Sequence, residues 1–184
     1  MSYRISVFLF FIFLIAVETA CKKDSFLKSG GELAYSTDTL RFDTVFTSVG
    51  SATRAVKIYN RNNSKIKIQT IRLAGGTASP FRMNIDGQAT KEIENVEVAA
   101  HDSLYVFVAV TVNPGSGNLP FLVTDAIEAV LNNQTFTLPL EAYGQDAHYI
   151  VDSVLGSQTW INDKPYVIVH SALVDSLCIL TIQK

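Results

Sequence analysis

The sequence predicts an all-β protein whose main unit is an immunoglobulin-like antiparallel β-sandwich. Between residues 37 and 144 apolar and polar residues alternate with a period of two, which is typical of half-buried strands. Clusters of glycine, asparagine and proline separate these runs at short intervals. No stretch in this range has the apolar spacing of an amphipathic helix. About eight short strands in roughly 100 residues match the size of one immunoglobulin-like sandwich, which can bury a sufficient core without disulfides.

Before the sandwich, residues 1–20 predict the helix of a signal peptide. Arg4 supplies a positive charge, residues 7–17 form an unbroken apolar run, and Thr19 and Ala20 are small. The run has the length of a secretory apolar segment and is shorter than the ~20 residues that span a bilayer. The segment therefore predicts export from the cytoplasm.

Cys21 follows these residues and, with Thr19 and Ala20, resembles the lipobox of bacterial lipoproteins. The resemblance implies that residues 1–20 are removed and that Cys21 is lipidated, so that the N-terminal lipid holds the protein in a membrane. Glu18 departs from the pattern, which usually has an apolar residue there. Ordinary secretory cleavage and a chance thiol are the other interpretations. Glu18 suits a secretory cleavage site no better, and we expect a lipoprotein.

Residues 21–36 predict a flexible tether, because charges, serines and the pair Gly30-Gly31 follow no period. A flexible chain of this length has a root-mean-square reach of ~20 Å. The charges directly after Cys21, in Lys22-Lys23-Asp24, resemble the export signal of Bacteroidota-type surface lipoproteins. This resemblance implies the cell outer membrane and display at the surface. A solvated spacer is the other interpretation.

Within residues 37–144 the predicted strands follow the alternating runs in order. The runs are 40–43, 56–61, 65–68, 104–112, 127–131 and 136–140, and Asn132-Asn133 predicts a hairpin between the last two. The inward positions of these runs predict the core residues Phe42, Val56, Ile58, Val106, Val108, Val110 and Leu138.

The order of these runs resembles ASH- and MSP-like immunoglobulin domains. Residues 56–60 form a strand that ends in asparagine before a turn, residues 110–114 form a valine strand that ends at a proline, and residues 138–144 are similar to the closing strand of that family. The resemblance covers residues 37–144. It implies a fold and the role of an adaptor, spacer or protein-binding module, and it transfers no catalytic residue.

Residues 145–184 predict a different unit, with a turn at 160–165 and short strands at 166–169 and 177–182. Two short strands do not form an independent domain. The resemblance to surface lipoproteins with this sandwich implies that the segment starts a right-handed parallel β-helix, of the kind called polymorphic outer-membrane-like. We therefore expect an incomplete β-helix-like segment in a truncated chain.

No pattern in the sequence predicts a catalytic, cofactor or metal site. His101, His148 and His170 lack the spacing of metal ligands. His170, Ser171 and Asp175 have the residue types of a hydrolytic relay, but no Gly-x-Ser-x-Gly turn presents the serine. Three alternating carboxylates predict only the solvent face of an edge strand: Glu92, Glu94 and Glu97.

Charge and cysteine content limit the partners. The formal net charge is −2 and no basic stripe is present, so we expect no nucleic acid partner. The two cysteines are Cys21 and Cys178, and an acylated Cys21 cannot form a disulfide. Cys178 lies in an apolar run and is expected to be a buried small side chain.

Five Asp-Ser or Asp-Thr pairs are each followed by an aliphatic residue. The pattern resembles the O-glycosylation site of the same bacterial group, and the other interpretation is that polar pairs precede strands. The pairs begin at Asp38, Asp43, Asp102, Asp152 and Asp175.

From these observations we expect a lipid-anchored cell-envelope protein that acts as a non-catalytic display, adhesion or scaffolding module. It would use no cofactor, contact the membrane through its N-terminal lipid, and meet a protein or glycan partner at the surface. The alternative is the N-terminal part of a β-helix enzyme that acts on polysaccharide. In that case the catalytic residues lie beyond Lys184.

Overall fold

The computed structural model describes residues 25–113 and 121–184, which are mostly β-strand. These two ranges contain no α-helix and one short 3-10 turn, Gly76–Ala78. No helix in them is long and apolar enough to cross a membrane. The predicted signal helix, Cys21 and the proline at the end of the predicted valine strand, Pro114, lie outside the described residues.

Ten strands form the predicted sandwich as two five-stranded sheets. The first sheet has the order β1-β3-β8-β5-β6 and the second has the order β2-β10-β9-β4-β7. Neighbouring strands are antiparallel, except that β10 pairs with β2 in parallel. The strands are β1 Leu33–Tyr35, β2 Leu40–Phe46, β3 Arg54–Asn60, β4 Ile66–Leu73, β5 Phe81–Ile85, β6 Gln88–Thr90, β7 Glu92–Val98, β8 Ser103–Val110, β9 Phe121–Leu131 and β10 Gln134–Gln145.

The core lies between the two sheets, where one side chain in two points inward along each central strand. All seven predicted core residues are buried, with at most 4% of their surface exposed. Two phenylalanine rings of the core, Phe81 and Phe42, pack together with ring centroids 5.8 Å apart. Each sheet thus covers the apolar face of the other, and this burial is the main term that stabilises the sandwich.

Asn60 is the asparagine that ends β3, and its side chain ties three segments together from a buried position. Its amide nitrogen donates to the carbonyl oxygens of Ser64 at 3.0 Å, Val98 at 3.2 Å and Ala99 at 2.7 Å. Its oxygen accepts from the backbone N–H of Asn62 at 3.0 Å. The turn after β3 and the end of β7 are therefore joined through one side chain.

The hairpin turn between β9 and β10 agrees with the sequence prediction. Asn132 and Asn133 have φ values of 48° and 64° and form the two-residue loop between β9 and β10, as predicted. Both residues tolerate this left-handed conformation, which a tight hairpin turn needs.

The segment predicted as a tether is in part ordered against the sandwich. Strand β1 lies within residues 21–36 and pairs with β3. The backbone N–H of Leu27 donates to Lys65 at 2.8 Å, and the Leu27 side chain packs against the core. The phenol of Tyr35 donates to the carbonyl of Phe136 on β10 at 2.9 Å, and burial raises its pKa above the ordinary value. Apolar Leu27 and Leu33 explain why this stretch adheres to the sandwich.

After the sandwich, four strands form two parallel pairs. They are β11 His148–Leu155, β12 Gln158–Trp160, β13 Tyr166–Val174 and β14 Leu180–Ile182. Strand β11 pairs with β13, and β12 pairs with β14. Along the chain, β11 and β12 form a first turn, and β13 and β14 form a second. Each strand of the second turn lies beside its counterpart in the first. We call these four strands the parallel unit.

Candidate functional site

The three carboxylates predicted to be solvent-exposed are so in the structure. Glu92 and Glu94 lie exposed on the edge strand β7, and Glu97 forms an ion pair with Lys65 at 2.5 Å. His101 is exposed in the turn before β8 with a φ of 58°. Within residues 25–113 and 121–184, no cluster of histidine, cysteine or acidic side chains could hold a metal ion.

His170 and Ser171 meet an aspartate, but it is Asp152 and not Asp175. His170 Nδ1 lies 3.0 Å from Asp152 Oδ2, and the hydroxyl of Ser171 donates to Asp152 Oδ1 at 3.2 Å. Asp175 instead accepts from the backbone N–H of Ser176 at 2.8 Å. Histidine and serine therefore share one carboxylate, so the histidine is not placed to take the proton of the serine hydroxyl. The side chains of His170 and Asp152 are 73% and 59% exposed, which adds solvent competition.

This cluster arises from the register of β11 against β13 rather than from sequence spacing. Asp152 and His170 both have left-handed φ values, 39° and 65°, and lie where β11 and β13 shift register. At this shift one residue of β11 lies opposite two residues of β13, and the bulge brings the side chains together at one corner of the parallel unit. The cluster is a corner contact between successive strands.

A stack of three rings lies at the start of the parallel unit. Tyr166 packs between Trp160 and His148, with ring centroids 4.3 Å and 4.5 Å away. His148 Nε2 lies 2.8 Å from Asp163 Oδ1, and this hydrogen bond is the main reason why the pKa of Asp163 is lowered. The residues come from β11, β12, β13 and the turn between β12 and β13. The stack therefore fixes the first turn of the parallel unit. Sequence reasoning missed it because the pairing of β11 with β13 and the path of the turn, rather than a motif, bring the rings together.

The junction between the sandwich and the parallel unit is short and hydrogen-bonded. Two residues separate β10 from β11, and one of them, Asp146, is buried together with Gln145 and Thr47. The N–H of Thr47 donates to Gln145 at 3.0 Å. The phenol of Tyr149 donates to the carbonyl of Thr47 at 2.6 Å, and burial raises the pKa of this phenol. The hydrogen bonds of Thr47 thus connect the sandwich to the first strand of the parallel unit.

The parallel unit exposes much of its apolar surface. Among its larger apolar side chains only Leu155 and Trp160 are buried. In the described residues β13 has β11 as its sole paired neighbour, and β14 has only β12, so each has an edge without a strand. Cys178, between β13 and β14, is a free and partly exposed thiol rather than a buried one. The exposed apolar residues are Val151, Val154, Ile161, Ile168, Leu173, Val174, Leu177, Ile179 and Ile182.

Comparisons with known proteins identify no family. No protein-family profile matches the chain, and no curated protein matches it. A solved family 123 glycoside hydrolase from Clostridium perfringens is similar at 6% identity and a TM-score of 0.44, over 61% of this chain and 25% of that one. The human ASH/PapD-like domain 7 of CEP192 shows 12% identity and a TM-score of 0.38, over 71% of this chain and 94% of the domain. The E. coli chaperone DraB shows 7% identity and a TM-score of 0.40, over 66% of this chain and 58% of the chaperone. The chain thus spans a quarter of the hydrolase and little more than half of the chaperone.

Proposed function

We propose that this chain is the anchored end of a cell-envelope protein, in which the sandwich is a non-catalytic scaffold that carries a parallel β-structure. The observation that carries the proposal is the parallel unit itself. Its partners lie one turn apart along the chain: His148 pairs with Tyr166, 18 positions later, and Gln158 pairs with Leu180, 22 positions later. Parallel pairing after returns of similar length is typical of a repeating coil of strands.

The unpaired edges of β13 and β14 support the proposal that the sandwich carries further parallel strands. Parallel sheets are normally covered on their faces and edges. Here Ile168, Leu173 and Ile182 are 52%, 63% and 67% exposed on the strands whose outer edges are free. Further turns of the same coil, a parallel β-helix, would pair both edges and bury these side chains.

The junction supports a scaffold role for the sandwich. The hydrogen bonds of Thr47 with Gln145 and Tyr149 fix the first strand of the parallel unit against the end of β10. A flexible linker would leave the two regions free to reorient. The short, buried junction instead gives the parallel strands a defined start, which a growing coil needs.

The proposal also includes lipidation of Cys21 and residence in the outer membrane. Both rest on the N-terminal sequence. Several acyl chains on one cysteine would hold the protein firmly in a bilayer, whereas one chain binds only marginally. The sandwich would then separate the parallel strands from the lipid surface.

The anchor is tested with a Cys21→Ser precursor expressed beside the native one. We expect the native mature protein to carry a lipid mass on Cys21 and to partition into detergent, and the variant to do neither. A variant that still partitions into detergent after processing would refute the anchor.

The scaffold is tested with the protein isolated from its native cells. We expect an intact mass that includes further turns after Lys184, and no turnover of polysaccharide by residues 22–184. A native mass equal to the lipidated chain ending at Lys184 would contradict the coil. Turnover by the purified chain would contradict the non-catalytic role.

A further inference from the structure

The two outer faces of the sandwich differ in the residues they show to solvent. On the second sheet, arginines and glutamates pair: Arg41 lies 2.9 Å from Glu141, and Arg72 lies 2.8 Å from Glu128. Two pairs of opposite charge thus lie on that face, which also exposes apolar side chains at one end of β9 and β10. The first sheet instead exposes two aromatic rings side by side, next to cationic side chains.

Two rings project from β8 on the outer face of the first sheet. Tyr105 and Phe107 are 46% and 43% exposed. Their centroids are 6.1 Å apart and their planes differ by 14°. Rings so nearly parallel, two positions apart on one strand, form a regular aromatic pair rather than scattered apolar residues.

The register of the sheet surrounds this pair with polar groups. Tyr105 lies opposite Lys57 on β3, and the Lys57 ammonium is 4.6 Å from the centre of the Tyr105 ring. Phe107 lies opposite Asn84 on β5 and beside the small Ala55 on β3, which leaves its ring open. We call Lys57, Asn84, Tyr105 and Phe107 the aromatic face.

Two further side chains set the charge around the aromatic face. Arg82 is exposed on β5, on the same side as Asn84, and contacts the hydroxyl of Thr111. Among the described residues neither Lys57 nor Arg82 has a carboxylate partner. Asp86, at the end of β5, lines a groove of about 340 Å³ together with Tyr105 and Phe107. Two cations against one carboxylate make the surroundings of the rings positive.

We propose that the aromatic face binds an acidic polysaccharide. The C–H bonds on the flat side of a sugar ring carry partial positive charge and pack against the negative faces of aromatic rings. Sugar hydroxyls are donors and acceptors, and both are matched by the amide of Asn84. A sugar carboxylate would pair with Lys57 or Arg82.

The small size of the apolar area favours a glycan over a protein. A stable protein interface buries about 800 Å² on each partner, with a contiguous apolar centre. Here charged or amide side chains flank the two rings directly on both neighbouring strands. A ligand that alternates apolar faces with polar edges suits this surface, and a flat apolar protein surface does not.

The experiment measures binding of the full chain, held in detergent, to polygalacturonate by isothermal titration calorimetry, with neutral dextran in parallel. We expect binding to polygalacturonate only. Tyr105→Ala and Phe107→Ala should each weaken it about tenfold or more, since one lost aromatic contact is worth on the order of one such factor. Lys57→Met should weaken it while keeping the length of the side chain.

Tyr143→Ala is the matched control, because Tyr143 is 50% exposed but lies on β10, in the other sheet. It should leave the affinity unchanged, and circular dichroism should show every variant folded. Absence of binding to polygalacturonate would overturn the proposal. Equal binding to dextran would also do so, as would an equal loss with Tyr143→Ala. The proposal does not depend on the parallel unit, so its failure leaves the scaffold role standing.

Discussion

The sandwich and the parallel unit are built from similar strands, yet one has a closed core and the other does not. In the sandwich the inward side chains of two sheets meet, and most of them lose all contact with solvent. In the parallel unit Val154 and Leu173 remain 68% and 63% exposed, in strands just as rich in β-branched and aliphatic residues. Strand-forming sequence is therefore not sufficient for a core. What differs is whether a second layer covers the apolar face.

Substitution of a leucine in each region tests whether the two regions differ in burial. Leu138→Ala, at a fully buried position, should lower the free energy of unfolding by about 2–5 kcal/mol, because it removes buried methyl groups and leaves a cavity. Leu173→Ala is the matched control at an exposed position and should change it by less than about 0.5 kcal/mol. Urea unfolding of the full chain measures both. Equal losses would mean that the parallel unit is covered in solution.

A buried polar residue tests whether the sandwich also depends on hydrogen bonds. Asn60→Ala would leave the buried carbonyl of Val98 and the partly buried carbonyl of Ala99 without this donor, and an unpaired buried group costs about 1–3 kcal/mol. We expect a loss of about 3 kcal/mol by urea unfolding. Asn63→Ala, exposed in the same turn, should have almost no effect. Similar values for the two variants would exclude a structural role for the Asn60 amide.

The junction is where the two regions can be uncoupled. Tyr149→Phe removes the hydrogen bond to Thr47 and should cost about 1 kcal/mol. Hydrogen exchange should quicken at the amides of β11 and stay unchanged in β8, since local opening needs only the junction to loosen. Tyr143→Phe changes an exposed tyrosine near the end of β10 and is the control. Unchanged exchange in β11 would show that other contacts hold the junction.

A change with pH in the ring stack of the parallel unit should be the weakest of these effects. The hydrogen bond from His148 lowers the pKa of Asp163 below its ordinary value of 3.8. A lowered pKa in the folded state means that the contribution is fully present above pH 3.8 and is lost as pH falls through the lower folded value. Trp160 is the single tryptophan, so its fluorescence reports the ring stack beside Asp163.

We therefore expect the emission of Trp160 to change as pH falls below 3.8, and expect the Asp163→Asn variant to lack that step. The far-ultraviolet circular dichroism of the full chain, to which the sandwich contributes most strands, should not change in the same step. An identical pH profile in the variant would assign the change to another group.

The alternation of apolar residues was enough to predict the sandwich but not its surroundings. The inward valines of β8 could be identified because burial on one face imposes a period of two. The pair Asn132-Asn133 predicted a hairpin because asparagine tolerates the left-handed conformation that a two-residue turn needs. Strand β1 was not predicted, since three residues are too few to show a period and its order comes from pairing with β3.

The contacts of the candidate site depend on register, which short spacings do not encode. Asp152 reaches His170 because β11 and β13 pair in parallel with a shift, and no rule of sequence distance selects it over Asp175. The stack of Trp160, Tyr166 and His148 likewise joins strands that only the return of the chain brings together. The aromatic pair on β8 was visible as alternating residues, but its exposure depends on the small neighbour Ala55 across the strand.

The hydrogen bond between Tyr35 and Phe136 has a mechanical consequence. Tension between the N-terminus and the parallel unit enters the first sheet through β1 and leaves the second sheet through β10, which continues into β11. The Tyr35 phenol joins β1 to β10 directly, across the interior of the sandwich. A pull on an anchored chain would therefore be shared among contacts such as the hydrogen bond of Leu27 with Lys65, the pairing of β1 with β3 and the Tyr35 hydrogen bond, before the central strands bear any load.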